Sequence, residues 1–239
     1  MLKQLCAVLA ATSIFAAPAA ADEASVKKAM QQFLGPNAQI DSVKKTDRLG
    51  LYEVVVGGDI LYTDEAVSNV ILGEIYDART RNNVTQERLN KLSTIDFSSL
   101  PLELAIKTVR GDGKRVIATL EDPRCGYCKK LAKELQRMTN ITVYTFMVPV
   151  LGPESVNMAK AIWCAADRSE TWNAWMINGK EPPAVPENCD ASALTRSTAL
   201  GQQLRLRGTP TIFLPNGERI PGFARAADLE QRLAALETR

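Results

Sequence analysis

Cys125 and Cys128 frame Cys125-Gly126-Tyr127-Cys128, a spacing that puts both sulfurs within one helical turn. Such a pair can open to two thiols or close to a disulfide. An apolar run, Arg115 to Leu120, precedes it, and Lys129 to Met138 continues with Leu131, Leu135 and Met138 at helical spacing. The pattern therefore reads as buried strand, short loop, Cys motif, helix. Cys125 falls at the helix N-terminus, where free N–H groups and the helix dipole favour a negatively charged thiolate. Cys128, one turn later and more buried, is placed to attack a mixed disulfide and release the substrate. Gly126 is expected to let another backbone approach closely, and Tyr127 to add contact surface.

Two plainer readings of the motif stand beside this one. A purely structural disulfide here would close a very short loop and gain little chain entropy. A metal site would need a second close Cys pair, yet Cys164 and Cys189 lie 25 residues apart. No metal and no other cofactor enters the reading. The chain has no histidine, which removes Ser-His and Cys-His nucleophile pairs and any His-ligated metal.

Gly208-Thr209-Pro210-Thr211 is the second chemical signal. A cis Thr209–Pro210 bond just before an apolar strand would expose the Thr209 backbone beside the sulfurs; a trans proline opening an edge strand is the ordinary alternative. Cys164 and Cys189 are expected to form a structural disulfide, closing a loop worth about 3.5 kcal/mol by the chain-entropy account. Two free buried thiols are the alternative. Glu121 could assist proton transfer from Cys128, although the loop Glu121-Asp122-Pro123-Arg124 reads as exposed. Lys129, Lys130 and Lys133 could favour the Cys125 thiolate or simply form a solvated helix face. Trp163, Trp172 and Trp175 read as core.

These groups need a scaffold and a compartment. Met1-Leu2-Lys3, the apolar run Leu5 to Ala17, Pro18 and Ala19-Ala20-Ala21 form a signal peptide expected to be cleaved after Ala21. That predicts an exported, soluble chain without membrane insertion after cleavage, and a periplasmic, oxidising setting for its four remaining cysteines. At 46% hydrophobic residues and formal net charge +2, nothing points to nucleic acid as a partner.

After residues 1–21 the chain divides into an α+β segment over 22–83, a linker helix within 84–99 and an α/β segment over 100–239. The first holds a helix from Asp22 to Leu34, β structure from Ile40 to Thr63 and a strand from Val70 to Tyr76. The linker helix runs from Gln86 to Thr94, capped by Asn83 or Thr85. In the last segment a strand over Ile141 to Val148 follows the Cys-motif helix. Helices over Glu154 to Asp167, Ser169 to Ile177 and Ser192 to Arg205 come next, then a hairpin turning at Asn216-Gly217 and a helix over Asp228 to Leu236.

With these motifs placed, the chain resembles the DsbC family of bacterial protein disulfide isomerases, within the thioredoxin superfamily. The resemblance rests on Cys125 through Leu131, Ala161-Ile162-Trp163-Cys164-Ala165, Gly208-Thr209-Pro210 and Asn216-Gly217. Gly58 through Tyr62 and Gly73 through Asp77 match more loosely. It implies a cystatin-like N-terminal domain that pairs two copies into a V-shaped homodimer, and a thioredoxin fold with a helical insertion. It also implies an apolar cleft that holds misfolded exported proteins with wrong disulfides, and a membrane thiol reductase of the DsbD type that keeps the pair reduced. By the same resemblance Cys125 is the nucleophile, Cys128 the resolving thiol, Thr209-Pro210 the cis-proline contact and Cys164–Cys189 the structural disulfide. The charged Glu121-to-Arg124 loop departs from the family pattern. A DsbG-like or general thiol reductase and a redox-independent holdase chaperone are the competing functions.

Overall fold

The computed structural model describes residues 22–237, so the expected signal peptide lies outside the described residues. The chain forms two compact units, dividing between Glu74 and Ile75.

In the first unit Asp22 caps α1 (Glu23–Leu34), its side chain accepting from the Ser25 N–H. Val26 and Met30, four residues apart, turn one face of α1 onto a four-stranded antiparallel sheet in the order β1 (Ile40–Lys45), β2 (Tyr52–Val56), β3 (Asp59–Thr63), β4 (Val70–Ile71). Ile40, Val43, Tyr52, Val54 and Leu61 complete this core. The strand expected over Val70 to Tyr76 does not form. Val70 and Ile71 pair with Thr63 and Tyr62, Leu72 is left 79% exposed, and Gly73, with no side chain to pack, ends the pairing.

The second unit opens with a two-stranded ribbon, β5 (Tyr76–Asp77) and β6 (Asn82–Asn83). Asn83 then caps α2 (Val84–Leu92) by accepting from the Gln86 N–H, so the helix starts two residues before its expected position. Ile95 and Phe97 lead the chain into the main core of this unit. Ile95 donates its N–H to the Gly217 carbonyl at 3.1 Å. Gly217 has φ +80°, and a Cβ there would lie 1.8 Å from the Ile95 carbonyl oxygen, so this junction requires glycine.

Five strands form the main sheet: β7 (Ile106–Arg110), β8 (Arg115–Glu121), β9 (Ile141–Met147), β10 (Thr211–Phe213) and β11 (Arg219–Pro221), ordered β11-β10-β8-β9-β7. β8 and β9 run parallel; the other pairings are antiparallel. Strand β8 lies between two neighbours and is buried from Ile117 to Glu121, as its apolar run predicts. Strand β7 went unread. It lies at the sheet edge with Ile106 buried and Val109 half exposed, so its apolar signal is thin.

Helices α3 (Gly126–Leu135), α4 (Pro153–Trp163), α5 (Arg168–Asn178), α6 (Ser192–Gln203) and α7 (Ala226–Glu237) surround this sheet. α3 uses Leu131 and Leu135, and α7 uses Leu229 and Leu233, to build one core with Ile117, Ile141 and Ile212. α4 and α5 are inserted between β9 and α6 and contribute Ile162, Trp163, Trp172, Trp175 and Met176 to a second core that includes both cysteines of the motif. The unit is a thioredoxin fold carrying a helical insertion.

Candidate active site

Strand β8 ends at Glu121, and the next four residues carry the chain across the sheet edge into α3. Cys125 is the N-cap of α3, with φ −70° and ψ 121°, and its carbonyl accepts from the Lys129 N–H at 3.1 Å. Helix α3 thus begins at Gly126 rather than Lys129, so the motif forms its first turn. Cys125 and Cys128 are both free thiols. Cys128 is fully buried, whereas Cys125 keeps 8% of its surface open.

Thr209–Pro210 is cis, and the Cys125 thiol donates to the Thr209 carbonyl across 3.3 Å. Pro210 is buried and Thr209 half-buried. Residues 84 positions apart in the chain thus meet at one sulfur. Tyr127 is 59% exposed, with the Lys130 ammonium 4.8 Å from its ring centre. A Cβ at Gly126 would meet nothing within 4 Å, so no described residue crowds it.

The loop before the motif also differs. Glu121 and Asp122 are not exposed; they retain 1% and 0% of their surface. Read in sequence, four polar or turn-forming residues looked solvated. In the fold Glu121 is the last residue of the central strand, and Asp122 is turned inward as a hydrogen-bond hub. Its carboxylate accepts from the N–H groups of Arg124 (2.7 Å), Val150 (2.8 Å) and Leu151 (3.0 Å) and from the Ser155 hydroxyl (2.8 Å). Four donors satisfy the buried charge and tie the Cys-motif loop to the start of α4. Only Arg124 faces solvent, paired with Glu154 at 2.6 Å.

The helical insertion braces the same loop from its other side. Trp175 donates its ring N–H to the Pro123 carbonyl at 2.6 Å, and the Lys129 ammonium sits 3.9 Å from the Trp175 ring centre. Trp163, Trp172 and Trp175 are core residues with at most 9% exposure, packed in the cluster that contains Cys125 and Cys128. Lys129 is half-buried on Trp175, whereas Lys130 and Lys133 lie on the exposed face of α3.

Burial leaves two groups in this site strongly shifted. The Cys128 thiol is pushed up, first by loss of hydration and then by the negative charges of Glu121 and a Cys125 thiolate. Glu121 is raised to about 7, because desolvation outweighs the hydrogen bond from Thr119 and the interaction with Cys128. Sequence reasoning had the identity of Glu121 but not its burial. The missing signal was that the apolar run of β8 continues through it, which makes it a strand residue.

Cys164, at the C-terminal cap of α4, and Cys189 are joined by a disulfide, with Cα atoms 5.8 Å apart. Both are half-buried. The bond closes the loop that contains α5 and the proline-rich stretch after it. It therefore staples the insertion that carries Trp175.

Comparison with known proteins matches two separate stretches of the chain. A family profile described as the disulfide bond isomerase protein N-terminal domain matches residues 17–86, and one described as a thioredoxin-like domain matches residues 102–237. The chain is 46% identical over 217 residues to a probable thiol:disulfide interchange protein DsbC of Bordetella pertussis, covering 91% of this chain and 76% of that protein. It is 29% identical over 232 residues to the thiol:disulfide interchange protein DsbC of Escherichia coli, covering 95% and 92%. Among solved structures, a disulfide interchange protein from Neisseria gonorrhoeae aligns with TM-score 0.53 and 38% identity, over 57% of this chain and 97% of that one.

Proposed function

This chain belongs to the DsbC family and is a thiol–disulfide oxidoreductase with a thioredoxin fold, and on that footing we propose that its particular activity is protein disulfide isomerisation. The observation that carries the proposal is the position of Cys125. Cys125 caps α3 and keeps 8% of its surface open, and its sulfur faces the Thr209 carbonyl beside a cis proline. A substrate strand laid along Thr209 would present its own sulfur to Cys125.

In this reading the Cys125 thiolate attacks a wrong disulfide in an exported protein. One substrate sulfur becomes bonded to Cys125 and the other leaves as a thiolate. A different substrate thiol then attacks the sulfur bonded to Cys125, displaces Cys125 and leaves a rearranged disulfide, whereas return of the first thiolate only restores the original bond. Alternatively Cys128 displaces the substrate, which departs reduced, and the Cys125–Cys128 disulfide must then be reduced by a membrane thiol reductase of the DsbD type. Gly126, Tyr127, Thr209 and Pro210 form the contact surface for the substrate strand. The Cys164–Cys189 disulfide is structural.

Residues 22–83 act as a dimerisation domain, 84–99 as a linker and 100–239 as the catalytic domain, so that two copies face one client. The protein works in the periplasm after cleavage at Ala21. The match of the N-terminal profile supports the homodimer.

Reactivation of a scrambled multi-disulfide protein in a mildly reducing thiol buffer tests the proposal. Recovery of native activity that depends on Cys125 is the expected result. Fast reduction of simple disulfides without reactivation would make the protein a reductase instead.

A further inference from the structure

The turn from β9 into α4 carries two apolar side chains that folding leaves in solvent. Val150 is 53% and Leu151 59% exposed, whereas Val148, just before them, is fully buried. The backbone of this turn is nevertheless pinned. The Asp122 carboxylate, itself without exposed surface, accepts from the N–H groups of both Val150 and Leu151. Val148 donates to the Glu121 carbonyl at 2.8 Å, which extends the contact between β8 and β9 by one residue. Gly152 has φ +107°, a conformation that favours glycine, and Pro153 opens α4. A buried carboxylate, a glycine and a proline thus hold two exposed apolar side chains in one place.

Sheet topology puts that place beside the reactive sulfur. β8 has β9 on one side and β10 on the other. Met147 at the end of β9 pairs with Glu121 at the end of β8, and Thr211 at the start of β10 pairs with Leu120. The Thr209–Pro210 loop, the Cys motif and the Val150–Leu151 turn therefore follow one another across the same end of the sheet. On one side the Cys125 thiol meets the Thr209 carbonyl at 3.3 Å. On the other, Asp122 of the motif loop holds the Val150–Leu151 turn. A client whose sulfur reaches Cys125 thus has the Thr209 backbone on one flank and exposed apolar surface on the other. Apolar surface left open beside a site that must receive another chain marks a contact for that chain.

We infer that Val150 and Leu151 form a ledge for an apolar side chain next to the client's reactive cysteine, on the flank away from Thr209. Exchange is thereby biased toward cysteines that have such a neighbour. This rests on reading Cys125 as the attacking thiol and Thr209 as the strand contact. Cysteines are among the most buried residues of folded proteins, so their apolar neighbours are reachable mainly while a client is misfolded. The ledge favours unfinished chains over finished ones without any change at the sulfurs.

Peptides carrying one cysteine in a disulfide with thionitrobenzoate test this directly. Attack by Cys125 forms the Cys125–peptide bond, and thionitrobenzoate leaves as a coloured thiolate. Three peptides would differ only beside the cysteine: serine on both sides, leucine before it, or leucine after it. The reduced mature protein should react with one leucine peptide about tenfold faster than with the serine peptide, as burying much of a leucine side chain provides. The other leucine peptide should react like the serine peptide. Val150→Ser combined with Leu151→Ser should abolish the preference and leave the rates with the serine peptide and with dithionitrobenzoate unchanged. Val109→Ser, at a side chain 52% exposed at the opposite end of the sheet, should retain the preference. A preference that survives in the double serine variant overturns the inference. Equal rates with all three peptides in the wild-type protein overturn it without any variant having to fold. Thionitrobenzoate release that persists in Cys125→Ala would overturn the reading of the exchange site, and the inference with it.

Discussion

The molecule holds two cysteine pairs, and they differ in everything except residue type. Cys125 and Cys128 lie at a strand–helix joint, one capping the helix and the other fully buried, with a carboxyl beside them and a cis peptide in front. Cys164 and Cys189 lie where a helix end meets a proline-rich loop, both half-buried. A cysteine pair becomes reactive when the fold supplies an anion-favouring helix end, an approach for a partner sulfur and a place for the proton. Without those it is a staple whose value lies in the loop it closes.

The sharpest separation comes from Cys125→Ala. Exchange with small and protein disulfides should fall to the level of the buffer while the fold is retained, as read by thiol-exchange assay and circular dichroism. Holdase action, if the protein has it, should survive. The converse change, Cys164→Ala with Cys189→Ala, should cost about 3.5 kcal/mol in urea unfolding and leave the thiol chemistry of the motif in place. Loss of exchange at full stability in that double variant would break the comparison, because the staple would then be part of the reactive site.

Glu121 gives the next effect, and its sign is fixed by its shift. The folded protein holds the Glu121 proton up to about pH 7, whereas the unfolded chain releases it near 4.5. Between those values the folded state binds more protons, so its stability falls as pH rises across the window. The shift corresponds to about 3 kcal/mol at 1.36 kcal/mol per pH unit. Glu121→Gln should abolish this decline. Relative to wild type the variant gains about 3 kcal/mol on going from below pH 4.5 to above pH 7, measured by denaturant unfolding of the reduced proteins. A constant difference across that range would mean that Glu121 is not held protonated.

Two smaller changes sharpen the view of the charged loop. Asp122→Asn replaces a charged acceptor of four hydrogen bonds and should cost about 2 kcal/mol, since bonds to a buried charge are among the stronger ones. Arg124→Ala removes an exposed ion pair with Glu154 and should change stability by no more than about 0.5 kcal/mol. Equal effects at the two positions would show that the loop behaves as one solvated segment.

How far the sequence could be read varied with the range of the interaction. Helix α1, strand β8 and the placement of Cys125 at a helix end all depend on residues within a few positions of one another, and periodicity and the strand–loop–helix order expressed them directly. The strand over Val70 to Tyr76 was misread because β propensity is tested by pairing. Val70 and Ile71 pair with β3 and Tyr76 pairs with Asn83 of β6, so the expected strand is split in two. Strand β7 was missed for the complementary reason: an edge strand with one buried residue shows little apolar alternation, and β9 supplies the ladder that makes it a strand.

By itself the sequence determined the chemistry that is available. It has two thiols at the spacing of one helical turn, no histidine to compete for their role, and two further cysteines far apart. Tertiary structure decided which charges accompany them. Glu121 and Asp122 are adjacent carboxylates in one short polar stretch, and nothing local distinguishes them from surface residues. The fold buries both, surrounds Asp122 with four donors from the loop and the start of α4, and leaves Glu121 with a single hydroxyl and the Cys128 thiol. The physical reason is that hydration and hydrogen-bond partners are properties of the packed environment. They come from β9, α3, α4 and the intervening loops, which the chain assembles only after it has folded.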